Sequence, residues 1–155
     1  MPKNGKKLPK VLAVSSTGGH WEQLMRLSSA FDAADVTYVC TDAEQGVFCD
    51  LENFMSISDC NQDQPLKLLK CFFQAFFIVL KTRPKMVIST GAAPGILCLF
   101  WGKLFGARTI WIDSIANSEQ LSLSGKISMK FCSMVLSQWE SLSEEERPAY
   151  RGSVI

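Results

Sequence analysis

Short apolar runs rich in β-branched residues alternate with longer segments of helical periodicity along most of this 155-residue chain. Such alternation predicts strands joined by crossover helices, which means an α/β fold whose parallel sheet carries helices on both faces. The runs are nearly all apolar, as expected for strands covered on both faces. The predicted strands span residues 11–16, 36–41, 54–58 (weakly), 86–90, 109–113 and 134–137, and the predicted helices span 21–34, 66–83, 94–105 and 123–132. From residue 143 to 155 we expect a short helical turn and then the start of one more strand.

Chain length and charge narrow the class of protein. A chain of 155 residues is long enough for one domain with a sizeable core, and we expect residues 11–155 to form it. Residues 1–10 combine lysines with proline and glycine, which predicts a flexible polar tail without the apolar core of a signal peptide. The net charge of +1 argues against nucleic-acid binding, which needs clustered basic residues.

The cysteines do not form the pattern of a disulfide framework or of a zinc site. No C-x-x-C pair occurs, and most cysteines lie in apolar segments, so we expect buried free thiols in a reducing compartment. The chain has a single histidine, and we therefore expect no metal site and no resident cofactor. The six cysteines are Cys40, Cys49, Cys60, Cys71, Cys98 and Cys132.

Three loops follow predicted strands and are rich in Gly, Ser, Thr and Asn: residues 15–20, 89–95 and 113–124. In open parallel sheets ligands bind beyond the carboxyl ends of the strands, so these loops are the candidate site. In the first loop, Gly18 and Gly19 turn the chain between a strand and a helix, where backbone N–H groups and a helix dipole suit a diphosphate. His20, the chain's only histidine, lies at the same turn. The alternative is that the glycines only permit a tight turn and that the histidine is structural.

Residues of the other two loops likewise have two possible roles, one in ligand binding and one in local structure. Thr90 and Gly91 stand between a strand and a helix start, which suits an anion or merely allows close helix packing. Asp113 directly follows a strand, where its carboxylate would orient a sugar hydroxyl, support a general base or form a turn. Asn117 is either a sugar-binding amide or part of an Asx turn.

Taken together, the motifs resemble one glycosyltransferase family. They are S-T-G-G-H-W-x-Q-L at residues 16–24, S-T-G-A-A-P-G at 89–95 and I-D-S-I-A-N…L-S-L-S-G-K at 112–126. The family is the membrane-associated, acceptor-binding subunit of split GT-B N-acetylglucosaminyltransferases of dolichol-linked oligosaccharide synthesis. The bacterial capsule and exopolysaccharide subunits of the PssD type are similar to it, and the resemblance runs from about residue 11 to 155.

The resemblance implies that the chain is the Rossmann-like N-terminal half of a GT-B enzyme and is active only with a partner subunit that holds the UDP-sugar. This half would bind a polyprenyl-diphosphate-linked acceptor. It implies two catalytic residues, His20 as candidate base and Asp113 in its support. The acceptor or phosphate contacts would be Thr17, Gly18, Gly19, Thr90, Gly91 and Asn117. The alternatives are a non-catalytic scaffold that recruits a catalytic partner to the membrane, or a flavodoxin-like nucleotide-binding module.

Segment 66–80 is apolar almost all round, with one narrow polar stripe of Lys67, Lys70, Gln74 and Lys81. It is too short to span a bilayer, so it is either a core crossover helix or an interfacial one. We expect membrane contact through four phenylalanines and peripheral association with the cytoplasmic face of the membrane. Eukaryotic members carry a spanning N-terminal helix where this chain has a lysine-rich tail, which favours a bacterial-type protein. The four phenylalanines are Phe72, Phe73, Phe76 and Phe77.

Overall fold

A computed structural model describes residues 5–144 and 147–154. Its strands form one parallel sheet in the order β3-β2-β1-β4-β5-β6-β7, which confirms the predicted α/β fold class. The strands are β1 (Lys10–Ser15), β2 (Asp35–Cys40), β3 (Phe54–Ser56), β4 (Met86–Ser89), β5 (Arg108–Ile112), β6 (Met134–Ser137) and β7 (Ala149–Tyr150). The order along the sheet reverses direction between β1 and β4, which lie side by side.

Helices cover both faces of the sheet. They are α1 (Gly19–Arg26), α2 (Gln45–Phe48), α3 (Pro65–Thr82), α4 (Ala92–Leu104) and α5 (Leu123–Ser128), with 3₁₀ turns at Ser28–Phe31 and Glu140–Leu142. Alternate residues of β1 point to opposite faces, as the strand period of two requires. Leu12 belongs to the core beneath α3 and α4, together with Val79 and Leu99, whereas Ala13 belongs to the core beneath α1, together with Leu24. Two apolar layers therefore hold the sheet between them.

Two predicted helices are longer than the observed ones. The helix predicted over 21–34 ends at Arg26 and is followed by the 3₁₀ turn Ser28–Phe31, where two serines lower the helix propensity. The helix predicted over 123–132 ends at Ser128, whose hydroxyl donates to the Gly125 carbonyl at 2.6 Å. The weak third strand is shorter than predicted and ends at Ser56.

Three further features differ from the predictions: one additional helix and two shifted element boundaries. Helix α2 was not predicted, because four residues are too few to show a period. Helix α4 begins two residues before Pro94. The predicted late helical turn lies at Glu140–Leu142, slightly earlier than expected, and β7 follows. Of the predicted tail, residues 1–4 lie outside the described residues, whereas residues 5–9 are exposed and form no regular element.

The cysteines are free thiols, as predicted, and all but Cys49 are buried. Burial raises the pKa of the Cys98 thiol to about 12 and that of the Cys132 thiol to about 11. These thiols therefore stay protonated at neutral pH and act as small apolar side chains of the core.

Candidate functional site

The candidate site lies at the carboxyl ends of β1 and β4, where the connections leave the sheet in opposite directions. The β1 connection enters α1 on one face, and the β4 connection enters α4 on the other. Such a switch point opens a crevice at the sheet edge. The N-cap residues of α1 and α4 are Gly18 and Gly91, and neither helix has a side-chain cap. The first-turn N–H groups of α1 are therefore available to a ligand, as are those of Ala92 and Ala93 in α4, where Pro94 has none.

The two glycines of the first loop differ in what the backbone requires. Gly18 has φ +82° and ψ −142°, a conformation that side chains rarely adopt. Gly19 has no positive φ, and a Cβ built on it would meet no atom within 4 Å. Thr17, Gly18 and Gly19 are exposed beyond the carboxyl end of β1. The structure therefore explains the glycine at position 18 by conformation, and it leaves the space above Gly19 free for a ligand.

His20 joins the first loop to the second. Its Nδ1 lies 3.2 Å from the Thr90 carbonyl oxygen, and the Thr90 hydroxyl donates to the His20 carbonyl at 2.6 Å. A carbonyl oxygen only accepts, so the Nδ1 contact is a hydrogen bond when Nδ1 carries the proton. In the neutral ring the lone pair is then on Nε2. A Cβ on Gly91 would overlap the imidazole, so that glycine makes room for the ring.

Asp113 is only 2 % exposed, and its carboxylate is occupied by its own loop and by Trp111 of β5. It accepts hydrogen bonds from the Trp111 indole at 3.0 Å, from the Ser122 backbone at 2.9 Å and hydroxyl at 2.5 Å, and from the Asn117 amide at 3.4 Å. Ser122 in turn caps α5 by accepting from the Gly125 N–H at 2.9 Å. Among the described residues, no hydrogen bond joins Asp113 to His20. These contacts fit the turn-forming alternative for Asp113 and Asn117.

Two glutamines that the sequence analysis gave no role connect the loops. Gln23 of α1 is buried and accepts a hydrogen bond from the buried Gln138, which directly follows β6. Gln138 also donates to the Asp113 carbonyl. The available signal was the position of Gln23 among buried apolar neighbours in the first motif, but its partner lies 115 residues away.

Helix α3 divides its four phenylalanines between two environments. Phe72 and Phe76 are half-buried, and their ring centroids lie 4.8 and 4.9 Å from the ring centroid of Trp101 in α4. Phe73 and Phe77 are 51 % and 61 % exposed. The helix is therefore a crossover helix that also presents an exposed apolar stripe. With neighbouring residues this stripe forms the α3–α4 apolar face, defined as Leu69, Phe73, Phe77, Leu80, Phe100, Leu104 and Phe105.

Within residues 5–144 and 147–154, none of the helices has the length and apolar character needed to cross a bilayer. Over the same residues, no three His, Cys, Asp or Glu side chains come together as a possible metal site.

Comparison with known proteins places the chain among proteins of oligosaccharide biosynthesis. Residues 11–154 match the family model described as "Oligosaccharide biosynthesis protein Alg14 like". The chain is 26% identical to the UDP-N-acetylglucosamine transferase subunit ALG14 of Yarrowia lipolytica, with 95% of this chain and 82% of the relative covered. It is also 26% identical to the subunit of that name from Candida albicans, with 90% and 75% covered.

Among solved structures, the chain is similar to MurG of Acinetobacter baumannii, with a TM-score of 0.75 and 12% sequence identity. The similarity covers 94% of this chain but only 45% of the MurG chain. The fold thus resembles that of a GT-B N-terminal domain, in agreement with the predicted Rossmann-like architecture. Because residues 11–154 match this family model, the chain belongs to the Alg14-like family of oligosaccharide biosynthesis proteins.

Proposed function

We propose that this chain is the acceptor-binding subunit of a two-subunit glycosyltransferase. The enzyme transfers a sugar from a UDP-sugar to a polyprenyl-diphosphate-linked acceptor during oligosaccharide or polysaccharide synthesis. The observation that carries this proposal is the pair of helix N-termini without side-chain caps that flank His20 at the switch point. The relatives' description as UDP-N-acetylglucosamine transferase subunits supports the same reaction class.

The acceptor diphosphate binds where the two helices begin. Thr17, Gly18 and Gly19 approach it from one side, and the start of α4 faces it from the other. Thr90 and Gly91 are buried and act indirectly, by holding His20 and making room for its ring. Each helix N-terminus contributes roughly half a positive elementary charge together with free N–H donors. Two such termini offset much of the diphosphate charge, so this subunit holds the acceptor without a metal ion.

His20 acts as the general base. Its Nε2 takes the proton from the acceptor hydroxyl as that oxygen attacks the anomeric carbon of the UDP-sugar. The bond from the anomeric carbon to the UDP oxygen breaks, UDP leaves with the electron pair, and the imidazolium later loses its proton to solvent. Thr90 holds the ring in the tautomer that this role requires. Asp113 and Asn117 serve the reaction by shaping the neighbouring loop rather than by touching the proton.

The partner subunit supplies the UDP-sugar half of the cleft. Met86, Ile110 and Leu136 lie on the sheet face that α1 shares, one on each of β4, β5 and β6, and they remain only half-buried. An incompletely covered apolar sheet face is a natural contact for another chain. The MurG similarity, which covers less than half of that chain, also fits a second half contributed by a partner.

The reconstituted enzyme tests the proposal. The purified chain alone should transfer no sugar to a short-chain polyprenyl-diphosphate acceptor, because half a cleft cannot position both substrates. Addition of the partner subunit should restore transfer, measured as labelled lipid-linked product. Full activity of the single chain would overturn the two-subunit arrangement, and an inactive mixture would overturn the reaction.

The scaffold alternative keeps one supporting observation. The ring of His20 makes a hydrogen bond to the Thr90 carbonyl, which a purely structural histidine would also make. In that alternative the partner subunit performs all of the chemistry.

The α3–α4 apolar face docks peripherally on the cytoplasmic side of the membrane. Exposed phenylalanines and leucines lie beside exposed Lys67, Lys70 and Lys81, the combination that suits an anionic bilayer surface. Such docking would bring the crevice to a lipid-linked acceptor.

Substitution of Phe73 and Phe77 by serine should release the chain from anionic liposomes. Burial of a phenylalanine contributes about 1.5–3 kcal/mol, so the double variant should bind at least about tenfold more weakly in co-sedimentation. The matched control is Val47→Ser with Phe48→Ser, which removes even more exposed apolar side chains from α2. An equal loss in the control variant, or a wild-type chain that stays in the supernatant, would contradict membrane docking.

A further inference from the structure

The buried amide of Gln138 ties together three separate parts of the chain. Its Nε2 donates to the Gln23 side-chain oxygen at 3.0 Å and to the Asp113 carbonyl at 2.9 Å. Its Oε1 accepts from the Val154 backbone N–H at 2.7 Å, and the Gln138 backbone carbonyl accepts from the Ser153 hydroxyl at 2.7 Å. Both donor hydrogens of the amide and its oxygen are therefore in use.

We propose that Gln138 is a positioning residue for glycosyl transfer, and this inference rests on the proposed function. Gln23 lies one helical turn after His20 on α1, so a fixed Gln23 fixes the orientation of the His20 turn. The Asp113 carbonyl marks the start of the loop that runs to Ser122. One side chain thus sets the distance between the proposed base and the loop on the other side of the crevice.

Burial prevents water from replacing these hydrogen bonds. Gln138 is 2 % exposed and Gln23 is 6 % exposed, so neither amide can exchange its partner for bulk water. A buried polar group without a partner is costly, which favours one arrangement of the three segments over looser ones. Segment 153–154 is part of the same arrangement, so a displacement of that segment would reach α1 through a single side chain.

The test uses Gln138→Met, which keeps the length and approximate volume of the side chain but removes its polar atoms. In the reconstituted pair, kcat should fall about 100-fold, the effect expected for a misplacement of about 1 Å, while the acceptor KM stays largely unchanged. Gln23→Met should give a smaller loss, because it removes only one of the three contacts of the Gln138 side chain. The double variant should lose little more than Gln138→Met alone, which already removes the shared contact.

The matched control is Thr109→Val. Thr109 is also fully buried and hydrogen-bonded through its hydroxyl, to Ser133 at 3.2 Å, but it lies near the opposite end of β5. This variant should lower stability and leave kcat unchanged. An equal fall in kcat in both variants would mean that any buried defect has the same effect, which would overturn the positioning role.

Hydrogen exchange provides a readout that does not depend on activity. In the single chain, Gln138→Met should speed amide exchange in residues 19–23 and 114–122, and Thr109→Val should not. Unchanged exchange in both segments would overturn the inference even if the pair is active. If the wild-type pair shows no transfer, the proposed function fails, while faster exchange in both segments would still support the linkage through Gln138.

Discussion

Replacement of His20 by alanine should lower turnover of the reconstituted pair about 10²- to 10⁴-fold, the range expected when a general base is removed. The reason is geometric: the ring lies at the switch point, and its Nδ1 contact with the Thr90 carbonyl leaves Nε2 to take the proton. Partner binding should be retained, because the half-buried side chain lies in the crevice. Turnover is measured with labelled UDP-sugar, and partner binding by sedimentation.

His20→Asn separates catalysis from structure. The asparagine amide is able to donate to the Thr90 carbonyl in place of Nδ1, but it offers no basic nitrogen. This variant should be as stable as the wild type and nearly as inactive as His20→Ala. If His20→Asn restores turnover while His20→Ala does not, the ring is structural and the scaffold alternative is favoured.

Gly91→Ala reaches the same side chain by a different route. A Cβ at this position would overlap the imidazole, so the ring must leave the Thr90 carbonyl or the loop must shift. We expect a loss of turnover approaching that of His20→Ala. Normal turnover in Gly91→Ala would show that the observed ring position is not the one used in the reaction.

The sequence was sufficient to predict the sheet and the position of the crevice, because both follow from local patterns. Apolar runs separated by helical periods require crossovers, and crossovers place the strand ends together at one edge. The motif around Gly18 and the motif around Gly91 could therefore be assigned to the same site before any contact was known.

Contacts between distant residues could not be predicted in this way. Nothing local distinguishes a catalytic Asp113 from one that accepts four hydrogen bonds from its own loop and the end of β5, since both directly follow a strand. The Gln23–Gln138 contact depends on helix α1 meeting the residue that follows β6, 115 residues later in the chain. A Gly-Gly pair also does not specify which of its two residues has the positive φ. In the structure it is Gly18, because of the way β1 connects to α1.

Replacement of Asp113 by alanine should destabilise the chain by about 3–5 kcal/mol, because each buried donor left without a partner costs about 1–3 kcal/mol. The Trp111 indole and the Ser122 backbone N–H would both lose their acceptor. A loss of this size is a large fraction of the 5–15 kcal/mol that stabilises a typical domain. Urea unfolding measures it directly.

Asp42→Ala is the control for loss of a carboxylate. Asp42 also follows a strand and accepts two hydrogen bonds, from the Glu44 N–H at 3.1 Å and the Gln45 side chain at 3.0 Å. These bonds hold the pKa of its carboxyl below the usual value, with the Gln45 amide as the larger cause. Water is able to replace both bonds at this site, so Asp42→Ala should change the urea midpoint much less than Asp113→Ala.

Asp113→Asn then decides between a positioning and a chemical role for the carboxylate. An asparagine keeps one acceptor oxygen but places an NH₂ group against a donor, either the Ser122 backbone N–H or the Trp111 indole N–H. If Asp113 only shapes its loop, the variant should lose about 1–3 kcal/mol of stability and show a modest, matching decrease in turnover. An Asp113→Asn chain that is as stable as the wild type but inactive in the reconstituted pair would show that the negative charge itself takes part in the reaction. Asp113 would then stand beside His20 as a catalytic residue, and the hydrogen bonds to Trp111 and Ser122 would serve to hold its charge in place.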